Sequence, residues 1–174
     1  FHYFDESSYQ MQCCYRKHFF APEEWKDQTV IVTFEGIAHE SEVFLNGEKI
    51  GEHHCGYTAF SIELSDKLRI GEENVLAVRV DSRENLNIPP FGYVIDYMTY
   101  GGIYREVYVD LKNENYLADI FLHSDIEKSK IQKNGEQIAD TKLISEINVF
   151  SRGKTDRLKD LFIRQSIRER GTEN

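Results

Sequence analysis

The sequence predicts an all-β chain folded as an antiparallel β-sandwich. Two observations carry that expectation. Apolar residues recur with period 2 through several short runs, the alternation that a half-buried strand imposes. Turn residues separate those runs at a spacing of roughly 8–15 residues, with no long helical period between them, which suits hairpin-connected sheets.

The first clear strand is Thr29 to Phe34, where Val30, Val32 and Phe34 share one face. Val43 to Ile50 reads as a hairpin, because Asn46-Gly47 supplies the positive φ angles of a type I′ turn. Ile62 and Leu64 make a shorter alternation. Gly71 to Asn74 is a second turn, leading into Val75 to Asp81 with Leu76, Val78 and Val80 inward and Arg79 and Asp81 outward. Ile103 to Leu111 reads as one strand, with Val107, Val109 and Leu111 opposite Tyr104, Glu106, Tyr108 and Asp110. A polar stretch at Lys112 to Asn115 marks a boundary, so the expected domains are 1–113 and 114–174. Ala118 to His123 and Ile144 to Phe150 are further strands, while Asp156 to Arg170 fits neither period.

Composition narrows the partners. With 21 Lys+Arg against 30 Asp+Glu in 174 residues, the chain carries a net charge of −9 and lacks the basic surface that phosphate backbones require. No apolar run reaches the ~18–20 residues of a membrane-spanning helix, so neither nucleic acid nor a bilayer is an expected partner. The basic residues of 151–174 read as a solvated end. Cys13, Cys14 and Cys55 cannot build a disulfide framework; three free thiols suit a reducing compartment, and a cytoplasmic location is expected.

Several blocks, in order, carry a family resemblance. Tyr15-Arg16-Lys17-His18-Phe19, Trp25-Lys26, Val32 to Ile37, Val43 to Gly47, Gly51 to Phe60, Asn74 to Asp81 and Tyr100 to Val107 together resemble the N-terminal sugar-binding domain of glycoside hydrolase family 2. Asp96 to Val107 is most similar to bacterial β-galactosidases, with β-glucuronidases next. The resemblance implies a jelly-roll sandwich for 1–113, then a partial immunoglobulin-like sandwich over 114–174. It also implies a parent enzyme that hydrolyses β-galactosides or related carbohydrates with retention, using a (β/α)8 barrel. The chain departs from the family pattern at Cys55, where glycine is usual, and at Ala59, where proline is usual. A Cβ at position 55 is expected to strain its turn.

A retaining mechanism needs two carboxyl groups about 5–5.5 Å apart. In the family both lie at barrel strand ends, and a barrel takes roughly 200 residues or more. The chain alone is therefore expected to be catalytically inactive, and Asn113-Glu114, which echoes the family's acid/base pair, is read as linker. What the resemblance leaves here is substrate contact. Asp96 sits at the position where family members place an acceptor for sugar hydroxyls, and a carboxylate, as a pure acceptor, can orient a ring. Tyr93, Tyr97 and Tyr100, with Phe91, surround it and offer faces for stacking on sugar C–H patches. Arg105 is expected in a structural ion pair, and Trp25 as a cap on the core. The His53-His54-Cys55 run matches no common zinc spacing, so neither metal nor cofactor is expected. The expected partners are a carbohydrate, the catalytic barrel and further copies in a homo-oligomer. The alternative reading is a stand-alone carbohydrate-binding module without hydrolytic activity.

Overall fold

A computed structural model of the chain describes residues 10–83, 85–88, 101–131, 135, 137–152 and 162–167. The chain divides into two compact units, Phe1–Asn113 and Glu114–Asn174. In the first, the strands are β1 (Gln12–Phe20), β2 (Thr29–Phe34), β3 (Ile37–Ala38), β4 (Glu40–Leu45), β5 (Glu48–His53), β6 (Phe60–Glu63), β7 (Glu73–Asp81), β8 (Gly102–Ile103) and β9 (Val107–Lys112). They form a four-stranded sheet in the order β1-β7-β4-β5, a three-stranded sheet β6-β2-β9 and the short pair β3-β8, all antiparallel.

The alternation read from the sequence decides which faces meet. Leu76, Val78 and Val80 of β7 and Val43 and Leu45 of β4 form one inward row; Val30, Val32 and Phe34 of β2, with Leu64, form the other. These side chains are buried, and Arg79 stays exposed as expected. Removing apolar area from water at ~25 cal/mol per Å² is the main force holding the two sheets face to face. An aromatic stack extends the core, with Phe34 on Phe60 at 4.9 Å between ring centroids and Phe60 on His53 at 4.3 Å.

The Asn46-Gly47 hairpin forms as expected, with φ of 52° and 89°. Asn46 also does something its turn role did not announce. Its amide nitrogen donates to Asn74 Oδ1 at 2.8 Å, and its Oδ1 accepts from the Val75 backbone at 3.0 Å, locking the β4–β5 turn onto β7. Asn74 is fully buried and makes three more bonds: its Oδ1 accepts from Arg69 N, and its Nδ2 donates to the carbonyls of Arg69 and Glu72. A buried amide so fully paired fixes the 69–74 turn without a desolvation penalty.

Two expectations need correction. Ile103 to Leu111 is two strands, because Ile103 pairs with Ile37 whereas Val107 pairs with Phe34. Two residues separate the partners on one side and three on the other, so the chain must bulge at Tyr104–Glu106. Tyr104 fills that bulge, lying over Gly36 and donating its hydroxyl to the Gly56 carbonyl. The expected strain at Cys55 is absent. Asn46 is the non-glycine residue with positive φ among those described, so Cys55 has ordinary backbone and needs no glycine.

The second unit pairs β10 (Asn115–Ile131) with β11 (Gln137–Ser151) as a long antiparallel ribbon, extending the two strands read from sequence. Register shifts at Leu117/Asp119 and Ile126/Lys128 reset the side-chain parity. The first of them keeps Leu117 on the face of Ile120, Leu122 and Ile126 despite the odd-to-even change. Leu143, Ile147 and Val149 complete that face. Most of it is solvent-exposed, Ile126 reaching 69%. Residues 162–167 adopt no regular structure.

Candidate functional site

Every residue proposed above to contact sugar, Tyr93, Asp96, Tyr97 and Tyr100, lies with Phe91 in segment 89–100, outside the described residues. The structure does show how that segment is rooted. Strand β7 ends at Asp81, and the chain returns at Gly101 to form β8. The two ends touch: a Cβ built on Gly101 would lie 2.5 Å from Ser82 Cβ. Ser82 is buried, and its hydroxyl both donates to the Met11 carbonyl and accepts from the Met11 amide, at 3.0 and 3.1 Å. Gly102 has φ of +95°, and a Cβ there would meet the Tyr15 hydroxyl at 2.4 Å, so both backbone and space demand glycine.

The outgoing side is held by charge and amides. Asp81 accepts from Gln12 Nε2 at 2.8 Å and from Arg83 Nε and Nη2 at 2.9 and 2.6 Å. Asn85 donates to Glu40 Oε1 at 2.6 Å, and Ile88 is buried. Glu40, Asp81, Arg83, Asn85, Leu86 and Asn87 line a polar recess of about 570 Å³. The Arg83 guanidinium, ahead of the Gln12 amide, holds the Asp81 carboxyl well below the usual carboxylate range. A folded-state pKa below the unfolded ~3.9 contributes stability above that pH and loses it as pH falls through the folded value. Asp81→Asn is therefore expected to be less stable than the parent at pH 7, with the gap narrowing below about pH 4. Urea titrations at pH 7 and pH 3 check this; a gap independent of pH would refute the assignment.

The remaining candidates resolve into scaffold. Trp25 sits on a one-turn 3-10 helix, half-buried against the core, 6.4 Å from Phe19 between ring centroids. Among the described residues, Arg105, expected in an ion pair, has none, and its guanidinium carbon lies 5.4 Å from the Tyr104 ring centroid. His53 bonds Thr58 through Nε2 and stacks on Phe60, while His54 turns toward Glu52. The Thr58 hydroxyl, then the Tyr57 backbone, hold the Cys55 thiol below its ordinary pKa. Among the described residues, no three His, Cys, Asp or Glu side chains converge as a metal would need. The three cysteines are free. Sequence reasoning missed the Glu40–Asn85 clasp and the Ser82 anchor, whose residues carry no periodic signal. His39, buried with Nδ1 unpartnered beside Gly56, was also missed; burial keeps its pKa below the ordinary histidine value.

Residues 3–113 match the family model described as glycosyl hydrolases family 2, sugar binding domain. The chain belongs to glycosyl hydrolase family 2. Among curated relatives, it is 37% identical over 154 residues to a β-galactosidase of Thermoanaerobacter pseudethanolicus, covering 84% of this chain and 21% of that protein. It is also 37% identical over 106 residues to a β-glucuronidase of Bacteroides fragilis, covering 61% of this chain and 15% of that protein. The chain thus spans about a fifth or less of the length of these relatives. Its fold matches the β-D-glucuronidase of Dictyoglomus thermophilum with a TM-score of 0.62 at 21% identity, over 85% of this chain and 32% of that one. The family 2 sugar-binding domain is a β-sandwich, and the packed sheets described above are that sandwich. Among the described residues, no helix is long and apolar enough to cross a membrane.

Proposed function

We propose that residues 1–113 form the substrate rim of a retaining β-glycosidase of the β-galactosidase type. The catalytic carboxylates lie in a barrel elsewhere in the same polypeptide. Residues 114–174 open an immunoglobulin-like domain whose remaining strands follow. The enzyme acts in the cytoplasm, where Cys13, Cys14 and Cys55 remain thiols, and it assembles as a homo-oligomer. Asp96 accepts hydrogen bonds from sugar hydroxyls, and Tyr93, Tyr97 and Tyr100 bound the ring.

The closed base of segment 83–100 is the observation that carries this reading. Ser82, Gly101 and Gly102 seat both ends of a long connection on the sandwich, as a loop that presents binding residues requires. The family match and the likeness to a β-galactosidase support a β-galactoside as the ligand of that rim. The test is Asp96→Ala in the full enzyme, assayed on an aryl β-galactoside. Losing one sugar contact is expected to lower kcat/KM about fivefold or more, equivalent to ~1 kcal/mol. An unchanged kcat/KM would remove Asp96 from the site.

A further inference from the structure

The strand registers bring three connections of the first unit to one end. Asp81 ends β7 opposite Glu40, the first residue of β4, and His53 ends β5 opposite Ser41. In the second sheet Phe34 ends β2 opposite Phe60 and Val107, which begin β6 and β9. Residues 35–39, 54–59 and 82–106 therefore cross between strands at the same end of the sandwich. The last of these carries Asp96 and the tyrosines proposed to contact sugar.

The 54–59 turn is seated on the roots of that longer connection. Gly56 is buried, and a Cβ there would lie 3.1 Å from His39 Nδ1 and 3.5 Å from Ala38 Cβ. Ala38 pairs with Gly102, and the His39 amide donates to the Asp81 carbonyl at 3.1 Å. The Tyr104 hydroxyl donates to the Gly56 carbonyl. His53 Nε2 bonds the Thr58 hydroxyl at 2.9 Å, and that hydroxyl and the Tyr57 backbone also hold the Cys55 thiol. Yet Tyr57 itself is 47% exposed. Contacts that fix a turn while leaving its aromatic ring half in water pre-organise that ring for a ligand, because the ordering cost is met before binding.

We infer that Tyr57 is a leaving-group contact, its ring stacking on the sugar that departs when a β-galactoside is cleaved. The inference rests on the reading of residues 1–113 as a substrate rim. Two considerations select the departing sugar over the transferred galactosyl ring. A retaining mechanism flanks the transferred ring with two carboxyl groups and distorts it, so the barrel encloses that ring. A half-exposed tyrosine on an outer turn suits the solvent side of the pocket instead, with its flat face on pyranose C–H groups and its hydroxyl toward water.

Two substrates separate the sites: lactose, whose leaving group is glucose, and β-galactosyl fluoride, whose leaving group has no ring. In the full enzyme, Tyr57→Ala is expected to lower kcat/KM on lactose about three- to tenfold, and on the fluoride by less than about twofold. Tyr57→Phe keeps the stacking face and is expected to stay near the parent on both. Turnover of the fluoride also reports that each variant is folded. Equal losses on the two substrates, no loss on either, or a Phe variant as impaired as Ala would each overturn the inference. Asp96→Ala, aimed at the transferred ring, is expected to lower both substrates alike. If it changes neither while Tyr57→Ala impairs lactose alone, the Asp96 contact falls and the Tyr57 contact stands. A parent enzyme that cleaves neither substrate overturns both.

Discussion

Phe34→Ala is expected to lower the unfolding free energy by about 3–5 kcal/mol, the usual range for deleting a buried aromatic. The ring is 1% exposed, packs with Val32 and Val30 along β2 and stacks on Phe60 at 4.9 Å. It also lines an apolar groove, so the space it leaves opens toward that groove rather than closing around a methyl group. Typical domains have only 5–15 kcal/mol in total, so the loss would bring the first unit close to its folding threshold. Urea unfolding should show a lower midpoint with an unchanged slope, because the native surface is unaltered. A loss below about 1 kcal/mol would mean that the core lies elsewhere.

Asn74→Ala is expected to cost about 3 kcal/mol although it removes little apolar area, since each buried polar group left unpaired costs ~1–3 kcal/mol. Without the amide, Arg69 N and the carbonyls of Arg69 and Glu72 lose their partner, as does Asn46 Nδ2. Asn74→Asp is expected to be no rescue, because a carboxylate keeps the acceptor and loses both donors. Asn46→Ala breaks only the shared bond and the one to Val75, so about 1–2 kcal/mol is expected. The double variant should fall short of the sum, as coupled neighbours do. Additive losses would show that the two amides act independently.

These two residues also illustrate what is legible in such a sequence. Phe34 announces itself, because β2, β4 and β7 alternate cleanly and alternation reports which face is inward. Asn74 does not. In Gly71-Glu72-Glu73-Asn74 it reads as one more turn residue, and only folding brings it to Asn46, 28 positions away. The split of Ile103–Leu111 was hidden for a related reason. Apolar period 2 continues across Tyr104–Glu106, and the break is imposed by unequal spacing on two partner strands. In the second unit the apolar residues were visible, but the bulges that bring Leu117 and Ile120 to one face were not. The proposed sugar contacts rest on resemblance at Asp96, since aromatic density without a frame names no geometry. The clasp of Glu40 on Asn85 could not be read at all, because a lone acid and a lone amide 45 residues apart carry no pattern.

The contact of Ser82 with Gly101 has a consequence for how this scaffold can change. Once the chain is stitched at those two points, the length of the connection between them is nearly independent of the strands beneath. Closing a ring of twice the length costs only about 0.6 kcal/mol more. Insertions and deletions there can therefore accumulate without disturbing the register of β7 or β8. The interior of the sandwich stays the same while the length of that connection changes.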